Sequence, residues 1–179
     1  FRRIYRVNPY IEEAVLITKD LGDATFVGAV AVFLHTGKSR ESKDLDLVVA
    51  EQITREQFLN LNYRFINENG KERIYTPRNY KIDVFDSRDL NEIPLEKIIE
   101  TRTTITVDKK NKIIHTICLE GLIVAKYRAK RDQDLSDLSL IAMYCFKKID
   151  WKLLHTFTKD DIEFRQIAET MKFYKENPR

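Results

Sequence analysis

Apolar and polar positions along the chain follow first a mixed rhythm and then a helical one. Asn8 and Pro9 open a predicted helix: an amide side chain can cap, and proline suits the first helical position. Ile11, Ala14, Val15 and Leu16 supply its apolar face, Glu12 and Glu13 sit at its N-terminal end, and Gly22 stops it. Ala24–Val27 reads as a short buried strand, broken by Gly28. Ala29–His35 follows as a short apolar helix and Gly37–Lys43 as a polar loop. Leu45–Ala50 reads as a second strand, opened by Asp44. Thr54 can cap a helix running to about Ile66, and Glu68-Asn69-Gly70 reads as a turn. Strands are expected over Glu72–Thr76 and Tyr80–Phe85 around Pro77-Arg78-Asn79, with a short helix over Leu95–Glu100. Thr103–Val107 and Lys112–Thr116 form an expected hairpin around Lys109-Lys110-Asn111. From Leu119 onward the spacing is helical. Leu122, Ile123, Ala125 and Ala129 make one stripe, and Leu135, Leu138, Ile141, Ala142 and Cys145 make another. Trp151–Phe157 and Ile162–Tyr174 complete the helical part. The expected architecture is an α/β (α+β) core over residues 1–117 and a helical part over 118–179 packed on it, with no Gly, Ser or Pro linker between them.

A chain of 179 residues with 43% hydrophobic and 33% charged positions is long enough for a real core. Five Gly and four Pro exclude collagen and low-complexity classes. No apolar run reaches the roughly 20 residues a membrane span needs. No secretory signal pattern opens the sequence, so a cytoplasmic setting without a membrane partner is expected. Cys118 and Cys145 sit in apolar helical contexts and read as buried thiols of a reducing compartment. The net charge of +3 is too balanced to assign nucleic-acid binding by composition, although it allows a local basic patch. Arg2, Arg3 and Arg6 with Tyr5, and Lys126 to Arg131 around Tyr127, interleave cations with an aromatic ring, as a surface for RNA phosphates and bases would.

Three segments carry candidate chemistry: Val27-Gly28-Ala29, Asp44-Leu45-Asp46-Leu47, and Lys81-Ile82-Asp83-Val84-Phe85. On a strand, Asp44 and Asp46 share one face while Leu45, Leu47 and Val49 point to the other. Two neighbouring carboxylates repel unless water or a cation lies between them, and a hard divalent ion takes such oxygen ligands. Asp83 is a lone charge in an apolar strand run. Alone it would cap a turn or pair with Lys81 or Arg88. If its strand lies beside the first, three acids converge on a site of the kind that clamps a phosphoryl group. Gly28 lets a ligand approach the backbone, and the free N–H groups of the helix after it face an anion.

The run from Phe26 to Val49 resembles the signature of the polymerase-β-like nucleotidyltransferase superfamily: a hydrophobic residue, Gly, a small residue, a short helix and an Asp-x-Asp strand. Its details resemble the abortive-infection type toxin nucleotidyltransferases and small uncharacterised prokaryotic relatives. The matching positions are His35, Arg40, Ser42, Lys43 and, downstream, Lys126, Arg131, Asp132 and Asp137. The family's usual second small residue, Gly or Ser, is here Ala29.

The resemblance implies a nucleotidyltransferase-type mixed β-sheet flanked by helices and followed by a C-terminal helical bundle. It implies Mg²⁺-dependent transfer of a nucleoside monophosphate from an NTP to an acceptor hydroxyl on RNA, tRNA, protein or a small molecule, with pyrophosphate release. Asp44, Asp46 and Asp83 would be catalytic and hold two Mg²⁺ ions, with Mn²⁺ as a substitute. Gly28, Ala29, Arg40, Ser42 and Lys126 would bind the nucleotide. His35, Lys43, Arg131, Asp132 and Asp137 would support the site, the last three through an ion-pair network. No DNA sequence specificity is expected. The resemblance leaves room for an antitoxin partner, and for a non-catalytic nucleotide- or RNA-binding module, to which Ala29 lends weight.

Overall fold

The computed structural model describes residues 8–86, 89–107 and 112–178. The basic surface expected at Arg2, Arg3, Tyr5 and Arg6, the pairing expected of Arg88 and the turn expected at Lys109-Lys110-Asn111 lie outside the described residues.

Helix α1 (Pro9–Leu21) begins where Asn8 accepts a hydrogen bond from Tyr10 N at 2.9 Å, and it ends at Gly22 with φ 78°. Strand β1 (Ala24–Phe26) runs into α2 (Gly28–Thr36), and a polar loop leads to β2 (Leu45–Val49). Helix α3 (Arg55–Asn60) carries a capping box between Thr54 and Gln57. The helix expected to reach Ile66 stops at Asn60, and β3 (Arg64–Glu68) follows. The cause is local. Asn62 adopts φ 63°, and Tyr63 N bonds back to Phe58 O, which turns the chain. Tyr63 and Phe65 then pack on the Phe58 ring at 5.4 and 6.0 Å between centroids.

Strand β4 (Lys71–Tyr75) pairs with β3 through the left-handed pair Asn69-Gly70, a two-residue hairpin of the favoured kind. Strand β5 (Lys81–Phe85), helix α4 (Leu95–Glu100) and the antiparallel pair β6 (Thr103–Thr106) and β7 (Ile113–Thr116) complete the sheet part. Helices α5 (Leu119–Ala129), α6 (Asp132–Cys145), α7 (Trp151–Phe157) and α8 (Asp161–Glu176) follow.

The seven strands form one mixed sheet in the order β3-β4-β5-β2-β1-β7-β6. β2 runs parallel to β5, and β1 runs parallel to β7. One face packs Ile11, Ile17, Leu45, Leu47 and Ile82 into a core under α1. The other joins Val27, Ala31, Val32 and Val48 to Leu122, Ile123, Leu138, Ile141 and Met171 of the helical part. That second core is continuous across the boundary near residue 118, so the C-terminal helices cover the β1–β2 half of the sheet. No helix among the described residues is long and apolar enough to cross a membrane.

Candidate functional site

Strand alternation sets the site. In β2, Leu45, Leu47 and Val49 are buried under α1, which turns Asp46 to the opposite face. In β5, Ile82 and Val84 join the same core, which turns Asp83 to the side of Asp46. The parallel pairing of β2 and β5 sets Asp46 directly opposite Asp83. Asp44, one step before β2, joins them on the wall of a cleft of about 1260 Å³, which Glu41, Asp89 and Asp134 also line.

Gly28 explains how the turn and the acids fit together. Its φ is 64°, and a Cβ there would collide with Oδ2 of Asp46 and stand 3.0 Å from its Cγ. The space that glycine leaves is filled by the Asp46 carboxylate. Val27 N donates to Asp46 O at 2.9 Å, which fastens the start of α2 to β2. Val27 caps α2 with no side-chain bond, so the helix start relies on other partners. Ala29 does not line the cleft; it borders a small recess beside it with Tyr10, Arg40, Ser42 and Asp44.

The electrostatics single out Asp46. Burial, and then the charges of Asp44 and Asp83, push its carboxyl up to about 6, against weaker opposition from Lys126 and Arg131. Asp44 and Asp83 each lean on a cation: Asp44 Oδ2 lies 3.8 Å from Lys81 Nζ, and Asp83 Oδ1 lies 3.6 Å from Arg73 Nη1. Asp46 has no ion-pair partner among the described residues. No group of three or more carboxylate, imidazole or thiol side chains among the described residues is gathered into a ready-made metal cage. The donors are all carboxylate oxygens, the set a hard divalent ion takes. Their mutual repulsion is what such an ion would relieve. The two pairs at 3.6 and 3.8 Å are long and partly exposed, so they oppose that exchange weakly.

The other wall is an ion network on α5 and α6. Lys126 is buried, with Nζ 2.9 Å from Asp134 Oδ1 and 2.8 Å from Asp137 Oδ2. Arg40 reaches from the α2–β2 loop to Asp137 with two hydrogen bonds, at 2.7 and 3.0 Å. Arg131 Nε donates to Asp134 at 2.7 Å. The family resemblance points to Asp132 in this network, but Asp132 is exposed at the helix start and Asp134 stands in its place. The sequence carries a signal for this: Asp134 and Asp137 interrupt the inward stripe that continues through Leu138 and Ile141.

Ser42 Oγ donates to Asp44 O at 2.8 Å and Tyr10 Oη to Ser42 O at 2.6 Å, which pins the loop entering β2. Lys43 is exposed and lines the cleft. His35 lies away from the cleft. Its Nε2 meets Ile117 O at 2.8 Å, and burial holds its pKa below the ordinary histidine value, a structural arrangement. Leu90 and Asn91, which the sequence does not point to, also line the cleft, as does Phe85.

Residues 3–176 match the family described as "nucleotidyltransferase of unknown function" (DUF6036). The chain belongs to this family. Two solved structures share its fold. A candidate nucleotidyltransferase from H. pylori is 15% identical with a TM-score of 0.50, and the match covers 92% of each chain. JHP933 from Helicobacter pylori is 17% identical with a TM-score of 0.52, covering 92% of this chain and 89% of that one. No curated protein matches the sequence. Family and fold agree with the architecture expected from the residues: this nucleotidyltransferase-family chain has a mixed sheet flanked by helices, with the helical part on one face.

Proposed function

We propose that the protein is a divalent-metal-dependent nucleotidyltransferase that moves a nucleoside monophosphate from an NTP to an acceptor hydroxyl. The observation that carries this reading is the register of Asp46 opposite Asp83, with Asp44 beside them, in a cleft bordered by the Gly28 turn. In the reaction the acceptor oxygen bonds to the α-phosphorus, and the bond from that phosphorus to the bridging oxygen of the pyrophosphate breaks. The acceptor proton leaves to a carboxylate, and pyrophosphate departs with the electron pair.

Asp44, Asp46 and Asp83 would hold Mg²⁺, two ions by the family resemblance and exchangeable with Mn²⁺, which when bound supplies charge neutralisation and Lewis acidity at the phosphates. Asp83, with its side chain 40% exposed, is the carboxylate that the family resemblance assigns to help deprotonate the attacking hydroxyl. Gly28 lets the triphosphate approach the start of α2. Lys126 and Arg131 bias the field of the cleft toward anions while staying tethered to Asp134. Arg40 and Ser42 hold the loop that delivers Asp44, and Lys43 at the cleft faces the phosphates as a point charge.

The test is incubation with α-labelled NTPs and cellular RNA in Mg²⁺ or in EDTA. Label transfer is expected in Mg²⁺ alone and is lost in Asp46→Asn. Transfer that persists in Asp46→Asn overturns the assignment. Metal-dependent binding without transfer to any acceptor points to a non-catalytic binding module instead.

A further inference from the structure

The rows of residues that carry the acids continue beyond them. β3 and β4 pair Arg64 with Tyr75, Ile66 with Arg73 and Glu68 with Lys71, and β4 and β5 pair Tyr75 with Lys81. Paired residues share a face. Because Asp83 lies on the face of Lys81, one row across the sheet reads Asp46, Asp83, Arg73, Ile66, and its neighbour reads Lys81, Tyr75, Arg64. Phe65, Ile74 and Ile82 occupy the opposite, core face. The C-terminal helices cover β1 and β2 on the acid side, whereas Arg64, Ile66 and Lys71 are exposed and Arg73, Tyr75 and Lys81 are half-buried.

This open face carries Arg64, Lys71, Arg73 and Lys81 against one acid, Glu68, apart from the carboxylates of the cleft. Glu68 is engaged by the Tyr75 hydroxyl, which holds the tyrosine ring on the sheet. Arg64 Nη2 donates to the neutral amide oxygen of Asn79 at 2.6 Å, and Arg64 has no ion-pair partner among the described residues. Lys71 has no ion-pair partner among the described residues. Arg73 meets Asp83 through Nη1, while its Nε is buried without a hydrogen-bond partner. By contrast, Lys126 and Arg128, two cations of the run that sequence alone marks for RNA, are spent internally on Asp134, Asp137 and Glu163.

We propose that the open face of β3–β4–β5 is the acceptor platform of the enzyme and that the acceptor is a single-stranded RNA end. The proposal rests on the nucleotidyltransferase reading and names its acceptor. Arg64, Lys71 and Arg73 track the phosphates, with guanidinium forks matched to phosphate geometry. Tyr75, beside the exposed Ile66, offers a flat apolar surface on which a base stacks. A strand laid along the row from Ile66 through Arg73 reaches Asp83, so its terminal ribose hydroxyl arrives at the carboxylate that takes the proton. Charge complementarity favours any polyanion, but an acidic peptide has no base for Tyr75 and no ribose hydroxyl to deliver.

The test is fluorescence anisotropy of a short fluorescein-labelled single-stranded RNA titrated with the full chain in Mg²⁺, without NTP, over a range of salt. The wild type is expected to bind, with affinity falling as salt rises. In Arg64→Gln/Lys71→Gln, two residues that touch none of the three acids, affinity is expected to fall about tenfold. The salt slope is expected to shrink by about 1.4, because two phosphates of a single strand are no longer neutralised. Tyr75→Ala is expected to weaken binding without changing the salt slope. Equal RNA affinity in wild type and Arg64→Gln/Lys71→Gln overturns the proposal, as does competition by poly-glutamate as effective as that by unlabelled RNA.

Calorimetry of NTP with Mg²⁺ on the same double variant keeps the two readings apart. Retained NTP binding with lost RNA binding supports the platform. Absence of NTP binding in the wild type would sink the transferase reading whatever the RNA result.

Discussion

Gly28 and Asp46 are one device made of two residues. The left-handed backbone at Gly28 and the missing Cβ leave room that the Asp46 carboxylate fills. Gly28→Ala is therefore expected to cost at least about 2 kcal/mol, from the left-handed conformation alone plus the displacement of the carboxylate. Chemical denaturation reads the loss, and NTP binding should fail in the same variant. Asp46 itself is a charge the metal-free fold tolerates at a cost. Its folded pKa of about 6 lies above the ordinary 3.8, so the folded state takes up the proton more readily than the unfolded chain. The metal-free fold thus gains stability as pH falls from about 6 toward 3.8 and carries the penalty at neutral pH. Asp46→Asn is expected to raise the melting temperature in EDTA at neutral pH, by the equivalent of about 1–3 kcal/mol, and to remove any stabilisation by Mg²⁺. An unchanged or lowered melting temperature in EDTA contradicts this electrostatic picture.

His35 has the opposite sign. Its folded pKa is lowered by burial from 6.5, so its contribution is complete above about 6.5 and is lost as pH falls below it. The slope of stability against pH in His35→Gln, compared with wild type below 6.5, should show that difference.

At the scale of elements, α5 and α6 are joined by the buried Lys126 with Asp134 and Asp137. Removing Asp134 leaves the buried Lys126 with Asp137 alone, a carboxylate it already shares with Arg40. Asp134→Ala is therefore expected to lower stability in urea unfolding by more than Asp132→Ala at an exposed position. Much of the element order is legible: Asn8-Pro9 and Gly22 bound α1 through chemistry that acts within a few residues, and the alternation around Asp46 and Asp83 marks a two-faced strand. β3 is not legible. Its residues Arg64, Ile66 and Asn67 are exposed, on both faces, so no apolar alternation advertises a strand, and the preceding Thr54 cap favours helix. The turn at Asn62 and the pairing with β4 decide the matter, and the pairing depends on a partner strand that local spacing does not reveal. The same limit hides Asp134: spacing places it on the inward stripe, but only the meeting of α5 with α6 supplies Lys126.

Across the whole molecule, the helical part is an element of the cleft as well as a cover for the sheet. It supplies Leu122, Ala125, Lys126 and Arg131 to the lining, and its core runs unbroken into Val27, Ala31 and Val48. A chain cut after residue 117 would expose that core face, and the intact protein is expected to unfold in one transition in which calorimetric and van't Hoff enthalpies agree. Two separated transitions would show that the two parts stand independently. The central claim is that the three acids gather a metal and a triphosphate in this cleft. Calorimetric titration with each NTP, in Mg²⁺ and in EDTA, on wild type and on Asp44→Asn/Asp46→Asn, tests it most directly. The expected result is binding of at least one NTP by the wild type in Mg²⁺, absent in EDTA and absent in the double variant. Equal binding by the double variant, or no binding of any NTP by the wild type, contradicts it.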